Sequence, residues 1–114
     1  MFPEITVTEL SGKLKSDEKF ILLDVRELDE LDYAKLTDDR LEVTPMSRLG
    51  QEGPQALSEA AQDKDARIYI MCHHGTRSAQ VTAWLAQQGW QNVFNVRGGI
   101  DEYARRIDQS VGFY

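Results

Sequence analysis

The stretch Arg67-Ile68-Tyr69-Ile70-Met71-Cys72-His73-His74-Gly75-Thr76-Arg77-Ser78 decides the fold. Residues 68–71 are apolar without alternation, as a strand covered on both faces requires. From Arg77 to Gln88 the period turns helical, with Val81, Trp84 and Leu85 on one face and Gly89 placed as the C-terminal cap. Only His73 to Thr76 remain to turn the chain between strand and helix. A loop this tight aims successive backbone N–H groups inward, and the new helix adds its own unpaired N–H groups at the same point. Such a cradle favours the thiolate of Cys72 over its thiol. Gly75 supplies the backbone freedom of the turn, and Arg77 adds a planar cationic fork suited to an oxyanion. A lone cysteine at a strand end is more often an inert core residue. Cys-x-x-Gly-x-Arg between an apolar strand and an amphipathic helix reverses that preference and makes Cys72 the candidate nucleophile. His73 and His74 read as shaping the loop and raising its positive potential rather than as acid-base groups. Thr76 and Ser78 are expected to orient the loop through side-chain bonds to backbone.

Outward from this stretch, Phe20-Ile21-Leu22-Leu23 is a second unalternating run, ending in Asp24-Val25-Arg26. Val93 to Val96 is a third, followed by Gly98-Gly99. Shorter strands are expected around Ile5 and Val43. Thr6 and Glu9 have capping-box spacing ahead of a helix that carries Leu10 and Leu14. Pro45 opens a connection containing Met46, Leu49 and Gly50, and Pro54 is placed to start a helix with Leu57, Ala60 and Ala61. The last helix begins near Ile100 and presents Ile100, Tyr103 and Ile107, leaving residues 109–114 as a tail. Strands separated by helices define an α/β domain with a mostly parallel five-stranded sheet and helices on both faces. Its site belongs beyond the carboxyl ends of the strands, where Asp24, Cys72 and Gly98 fall. Glu27 to Glu42 holds seven acidic side chains against Lys35 and Arg40, which predicts a solvated connection with one helical turn.

With 114 residues, the chain has room for one core, so residues 1–114 are expected to be a single domain. A hydrophobic fraction of 41% with 28% charged residues and few prolines or glycines excludes a membrane-spanning, collagen-like or wholly disordered chain. Thirteen basic against nineteen acidic residues give a net charge of −6, which argues against nucleic acid as a partner. One cysteine and no evident secretion signal point to a reducing, cytoplasmic setting. Three facing metal ligands are hard to collect from a loop holding Cys72, His73 and His74, so no metal is expected.

Taken in order, Ile5-Thr6 and Leu10, Phe20 through Glu27, the Pro45 to Leu49 connection, Cys72 through Ser78, Gly89, Val93 and Gly98-Gly99-Ile100 resemble a single-domain rhodanese of the sulfurtransferase family. The resemblance implies that Cys72 takes a sulfane sulfur from thiosulfate or a persulfide donor, holds it as a persulfide and yields it to a thiophilic acceptor. It implies further that Arg77 holds an anionic donor and the leaving sulfite, that the loop backbone from His73 to Ser78 stabilises the sulfur, and that no organic cofactor is needed. Asp24 is assigned to loop support and Arg26 to a structural pair with Glu30. The family's phosphatase and arsenate-reductase relatives use a loop one residue longer, so the six positions from Cys72 to Arg77 favour sulfur transfer over phosphate-ester hydrolysis. With no second cysteine, the sulfur must leave to an external acceptor, a small thiophile or a protein. An alternative keeps the fold as a low-turnover sulfur-carrier or protein-binding module, with residues 27–42 as its contact surface. The sequence departs from the family pattern at Tyr33 to Leu41, which lacks the usual histidine and Gly-Ala pair. That segment is expected to be irregular, to sit at the cysteine end of the sheet and to bias the site against free thiosulfate.

Overall fold

The computed structural model describes residues 3–114. Strands β1 (Glu4–Ile5), β2 (Ile21–Asp24), β3 (Leu41–Val43), β4 (Ile68–Met71) and β5 (Val93–Val96) form one sheet in the order β1-β5-β4-β2-β3. Every pairing is parallel. Asp24 therefore lies beside Met71, and the carboxyl ends of β2, β4 and β5 open on the same edge. Helices α1 (Val7–Leu14), α2 (Met46–Glu52), α3 (Thr76–Gln87) and α4 (Gly99–Arg106) supply most of the crossover connections that parallel strands need.

Side chains of β4 split by alternation between two cores. Ile68 and Ile70 pack with Leu23, Val25, Leu49, Val81 and Leu85 on one face. Tyr69 and Met71 pack with Leu22, Val7, Leu10, Ile100 and Tyr103 on the other. This two-sided covering is why β2 and β4 read as continuous apolar runs, each fully buried aliphatic side chain contributing about 1.5–3 kcal/mol. The capping box ahead of α1 forms as expected: Thr6 Oγ1 accepts from the Glu9 N–H at 3.1 Å and Glu9 Oε1 accepts from the Thr6 N–H at 3.1 Å. Trp90 is buried and donates its indole N–H to the Ala61 carbonyl at 2.8 Å.

Three expectations are corrected. The helix expected from Pro54 is instead a pair of 3-10 turns, Gly53–Ala56 and Ala60–Gln62, because Leu57 adopts an extended conformation that buries its side chain and ends the first turn. The true helix, α2, lies in what read as a connection: Pro45 precedes its first turn, and Leu49 is its one buried side chain. The acidic segment begins with a 3-10 turn, Leu28–Asp32, and is irregular from Tyr33, with Ala34 and Leu36 buried. Only its first part stays at the cysteine end. To start β3 parallel to β2 the chain must return to the amino end of the sheet, so Asp38 to Arg40 lie there, next to Leu41 and far along the strands from Asp24. No helix among the described residues is long and apolar enough to cross a membrane.

Candidate functional site

Cys72 follows directly on β4, and its side chain is 1% exposed. Its Sγ accepts from the Gly75 N–H at 3.1 Å and the Ser78 N–H at 3.4 Å. Gly75 holds the turn with φ +99, and a Cβ there would lie 3.0 Å from the Gly98 nitrogen. The carbonyls of the loop are drawn the other way: Ile100 N–H donates to the Cys72 oxygen at 2.9 Å and Asp101 N–H to the His73 oxygen at 3.0 Å. This approach is so close that a Cβ on Gly99 would collide with both carbonyl oxygens. The two helix N-termini thus divide the work, α4 taking loop carbonyls and α3 leaving amides turned toward the sulfur.

Ser78 is fully buried in the first turn of α3. Its hydroxyl does not bond backbone, as expected from the sequence, but lies 3.3 Å from Cys72 Sγ and 2.5 Å from Asn95 Oδ1. Asn95 donates through Nδ2 to Glu4 Oε2 at 3.2 Å. Thr76 is exposed, and its hydroxyl has no hydrogen-bond partner among the described residues, so it does not orient the loop through its side chain.

Beside the loop stands a charged cluster wired differently from the expected one. Arg26 is fully buried and pairs with Asp24, its Nη2 lying 2.7 Å from Oδ2 and its Nε 3.0 Å from Oδ1. Its contact with Glu30 is to the backbone carbonyl, at 3.4 Å. The Glu30 carboxylate goes instead to Arg77, which grips it with two parallel bonds of 2.7 and 2.8 Å. Glu30 also accepts from the Glu27 N–H at 2.8 Å and from the Tyr114 hydroxyl at 2.9 Å. The Arg77 guanidinium, ahead of the other donors, holds the Glu30 carboxyl well below its ordinary range, at about 2. Asp24 therefore reaches the loop indirectly, through Arg26, the backbone at Glu30 and then Arg77.

Residues 109–114 are more than a tail. After a 3-10 turn, Gln109–Val111, the chain returns Tyr114 to the site, where its hydroxyl meets Arg26 Nη1 at 3.0 Å and its ring stacks on His73 with centroids 3.7 Å apart. Burial, followed by the nearby His74, lowers the pKa of His73, which favours the neutral imidazole. His74 is largely exposed, with Nδ1 3.8 Å from Asp101 Oδ2. Asp101 joins the two histidines from α4, so three potential ligand atoms lie within 4.8 Å of one another, more than the loop alone offered. The same Asp101 oxygen is already paired with Arg105 at 2.9 Å.

The carboxylate of Glu30 thus pairs with Arg77 and not with Arg26, and nothing in the sequence signals the place of Tyr114. Asn95 did leave one: it is an amide inside an apolar strand run, a position that demands buried partners.

The model of the rhodanese-like domain matches residues 6–106, and the chain belongs to that family. It is 38% identical over 105 residues to a sulfurtransferase of Allochromatium vinosum, covering 92% of this chain and 91% of that one. It is 36% identical over 115 residues to the rhodanese-like/PpiC domain-containing protein 12, chloroplastic, of Arabidopsis thaliana, covering 97% of this chain but 37% of the relative. A putative sulfur carrier protein of Bacillus subtilis is 28% identical over 106 residues, 93% of this chain and 53% of that protein. Several relatives are thus much longer than the chain, which spans 25% of the tRNA uridine(34) hydroxylase of Erwinia tasmaniensis. Among solved structures, a protein of Staphylococcus saprophyticus superposes with a TM-score of 0.73 at 31% identity, covering 92% of this chain and 96% of that one.

Proposed function

We propose that this domain is a sulfur carrier that loads a sulfane sulfur on Cys72 from a persulfide donor and yields it to an external thiophile or protein acceptor. The observation that carries this reading is the state of Arg77. Both arms of its fork are filled by Glu30, whose own oxygens are satisfied by four donors, so Arg77 is not free to hold the sulfonate of thiosulfate. A persulfide donor needs no such anchor. The Cys72 thiolate attacks the donor's outer sulfur, the donor S–S bond breaks, and its electron pair leaves with the donor thiolate. Transfer onward is the same displacement with Cys72 as the leaving group. The likeness to the Bacillus subtilis putative sulfur carrier supports this role, and Cys72 is the sole cysteine in the sequence.

Intact-mass measurement tests it. A low-molecular-weight persulfide is expected to add one sulfur atom to the protein, cyanide to remove it as thiocyanate, and Cys72→Ser to take up none. No mass gain from any donor, or uptake by Cys72→Ser, overturns the covalent reading.

The likeness to the Allochromatium vinosum sulfurtransferase favours a second reading, turnover with thiosulfate, which requires Glu30 to release Arg77. Turnover as fast with thiosulfate as with the persulfide in the unaltered protein would select this reading over the carrier. Under the carrier reading, Glu30→Gln frees the fork and raises thiosulfate use several-fold over the unaltered protein.

A further inference from the structure

Behind the sulfur runs a line of polar groups that neither loading nor release requires: Cys72 Sγ, Ser78 Oγ, the Asn95 amide and the Glu4 carboxylate. Its direction is fixed from the far end. An ionised carboxylate can only accept, so Asn95 must turn its NH2 toward Glu4 and its Oδ1 toward Ser78. Ser78 has one hydroxyl proton, and its Oγ donates it to that oxygen across 2.5 Å. Its lone pairs are thereby left facing Sγ, where they suit an S–H donor and do not suit a thiolate. Asn95 is 2% exposed and Ser78 is fully buried, so water cannot make good a bond lost in this line.

Resting on the assignment of Cys72 as the sulfur-bearing residue, we infer that Asn95, oriented by Glu4, is a positioning residue that withholds the Ser78 proton from the Cys72 thiolate and so keeps the sulfur loaded. The thiol is matched to the line. The persulfide has no S–H on Sγ to offer Ser78, but it is opposed less than the thiolate, because its negative charge sits on the outer sulfur. The thiolate is the mismatched state. It forms when an acceptor strips the outer sulfur: cyanide bonds to that sulfur, the S–S bond breaks, and its electron pair passes to Sγ, giving thiocyanate and the Cys72 thiolate. For Ser78 to donate to that thiolate it must abandon Asn95, leaving a buried carbonyl without a partner. Unloading is slowed by that loss, as suits a carrier that must hold its sulfur until the right acceptor arrives.

The test compares Asn95→Ala, Glu4→Ala, Ser78→Ala and the Ser78→Ala/Asn95→Ala pair with the unaltered protein. Two rates are read: cyanide release of sulfur from the loaded protein, and alkylation of the unloaded thiol by iodoacetamide across pH. Asn95→Ala frees the hydroxyl and should speed both by about fivefold, with the alkylation profile moved to lower pH. Glu4→Ala, on an exposed strand edge where folding is not at risk, lets the amide turn over and should act in the same direction, by less. Ser78→Ala removes the lone pairs that oppose the thiolate, so it should slow neither rate, and in its background Asn95→Ala should change nothing. Unchanged rates in folded Asn95→Ala and Glu4→Ala, or an Asn95 effect that persists without Ser78, overturns the inference. Alkylation needs no donor, so the polar line is tested even if the protein takes up no sulfur.

Discussion

The same three-residue device appears at both ends of the sheet with opposite consequences. In Asp24-Val25-Arg26 and in Asp38-Asp39-Arg40 the aspartate accepts from the backbone N–H of the arginine two residues on, at 3.0 and 2.9 Å, and pairs with its guanidinium. At the carboxyl end, the pair is sealed, with side chains 0% and 1% exposed, and the spare arm of Arg26 reaches Tyr114 and the Glu30 carbonyl beside the site. At the amino end, the pair is part-exposed, and the guanidinium of Arg40 gathers the carbonyls of Leu14, Ser16 and Glu18 while lying 4.5 Å over the Phe20 ring. Asp-x-Arg is therefore a way of presenting a rigid fork, and what the fork touches decides whether it serves the site or only ties down the end of α1.

The largest effect expected from breaking this symmetry is at Arg26. Arg26→Met leaves Asp24 charged and unpaired in the interior, which should cost about 3–5 kcal/mol in urea unfolding. Asp24→Asn added to it should recover much of that loss, because the neutral pair no longer strands a charge. Arg40→Ala should lower the urea midpoint by less than Arg26→Met and leave sulfur uptake per folded molecule unchanged; a loss of uptake would mean that the amino end communicates with Cys72.

A smaller effect concerns acid. Glu30 is held at about 2 against an ordinary 4.5, so the folded state binds fewer protons there than the unfolded chain. Its contribution is complete above pH 4.5 and fades as pH falls from there toward 2. Urea midpoints measured across that window should fall less steeply in Glu30→Gln than in the unaltered protein. Smallest of all, Asp38→Asn with Asp39→Asn should change sulfur uptake from thiosulfate or a persulfide by less than about twofold at any salt concentration, since both charges lie at the far end of the sheet from Cys72 and are screened over that distance. A clear rise at low salt would restore a role in donor choice to the amino-end acids.

The pattern of what the sequence disclosed follows from how locally each feature is encoded. β2, β4 and β5 were legible because two-sided burial writes itself as unbroken apolar runs, and the cysteine loop because strand, glycine and helix are contiguous. The start of α1 was legible for the same reason, its cap and partner lying three residues apart. The partners of Arg26 and Arg77 were not, since one carboxylate lies within reach of both arginines and the choice is made by tertiary geometry. Tyr114 lies 41 residues beyond His73 and meets it through a turn that no periodicity announces. The 54–61 region was misread because proline and small apolar residues suit a 3-10 turn as well as an α-helix, and only the burial of Leu57 decides between them.

The grip of α4 on the Cys72 and His73 carbonyls also has a bearing on when the site comes into being. A polypeptide emerges from the ribosome amino end first, so Cys72 is made well before Ile100 and Asp101. β5, which separates β1 from β4 in the sheet, also arrives after both its neighbours. Until that late insertion is complete, the loop carbonyls lack the α4 amides that draw them outward. A nascent or prematurely terminated chain that ends before α4 thus carries the cysteine without the contacts that shape its loop.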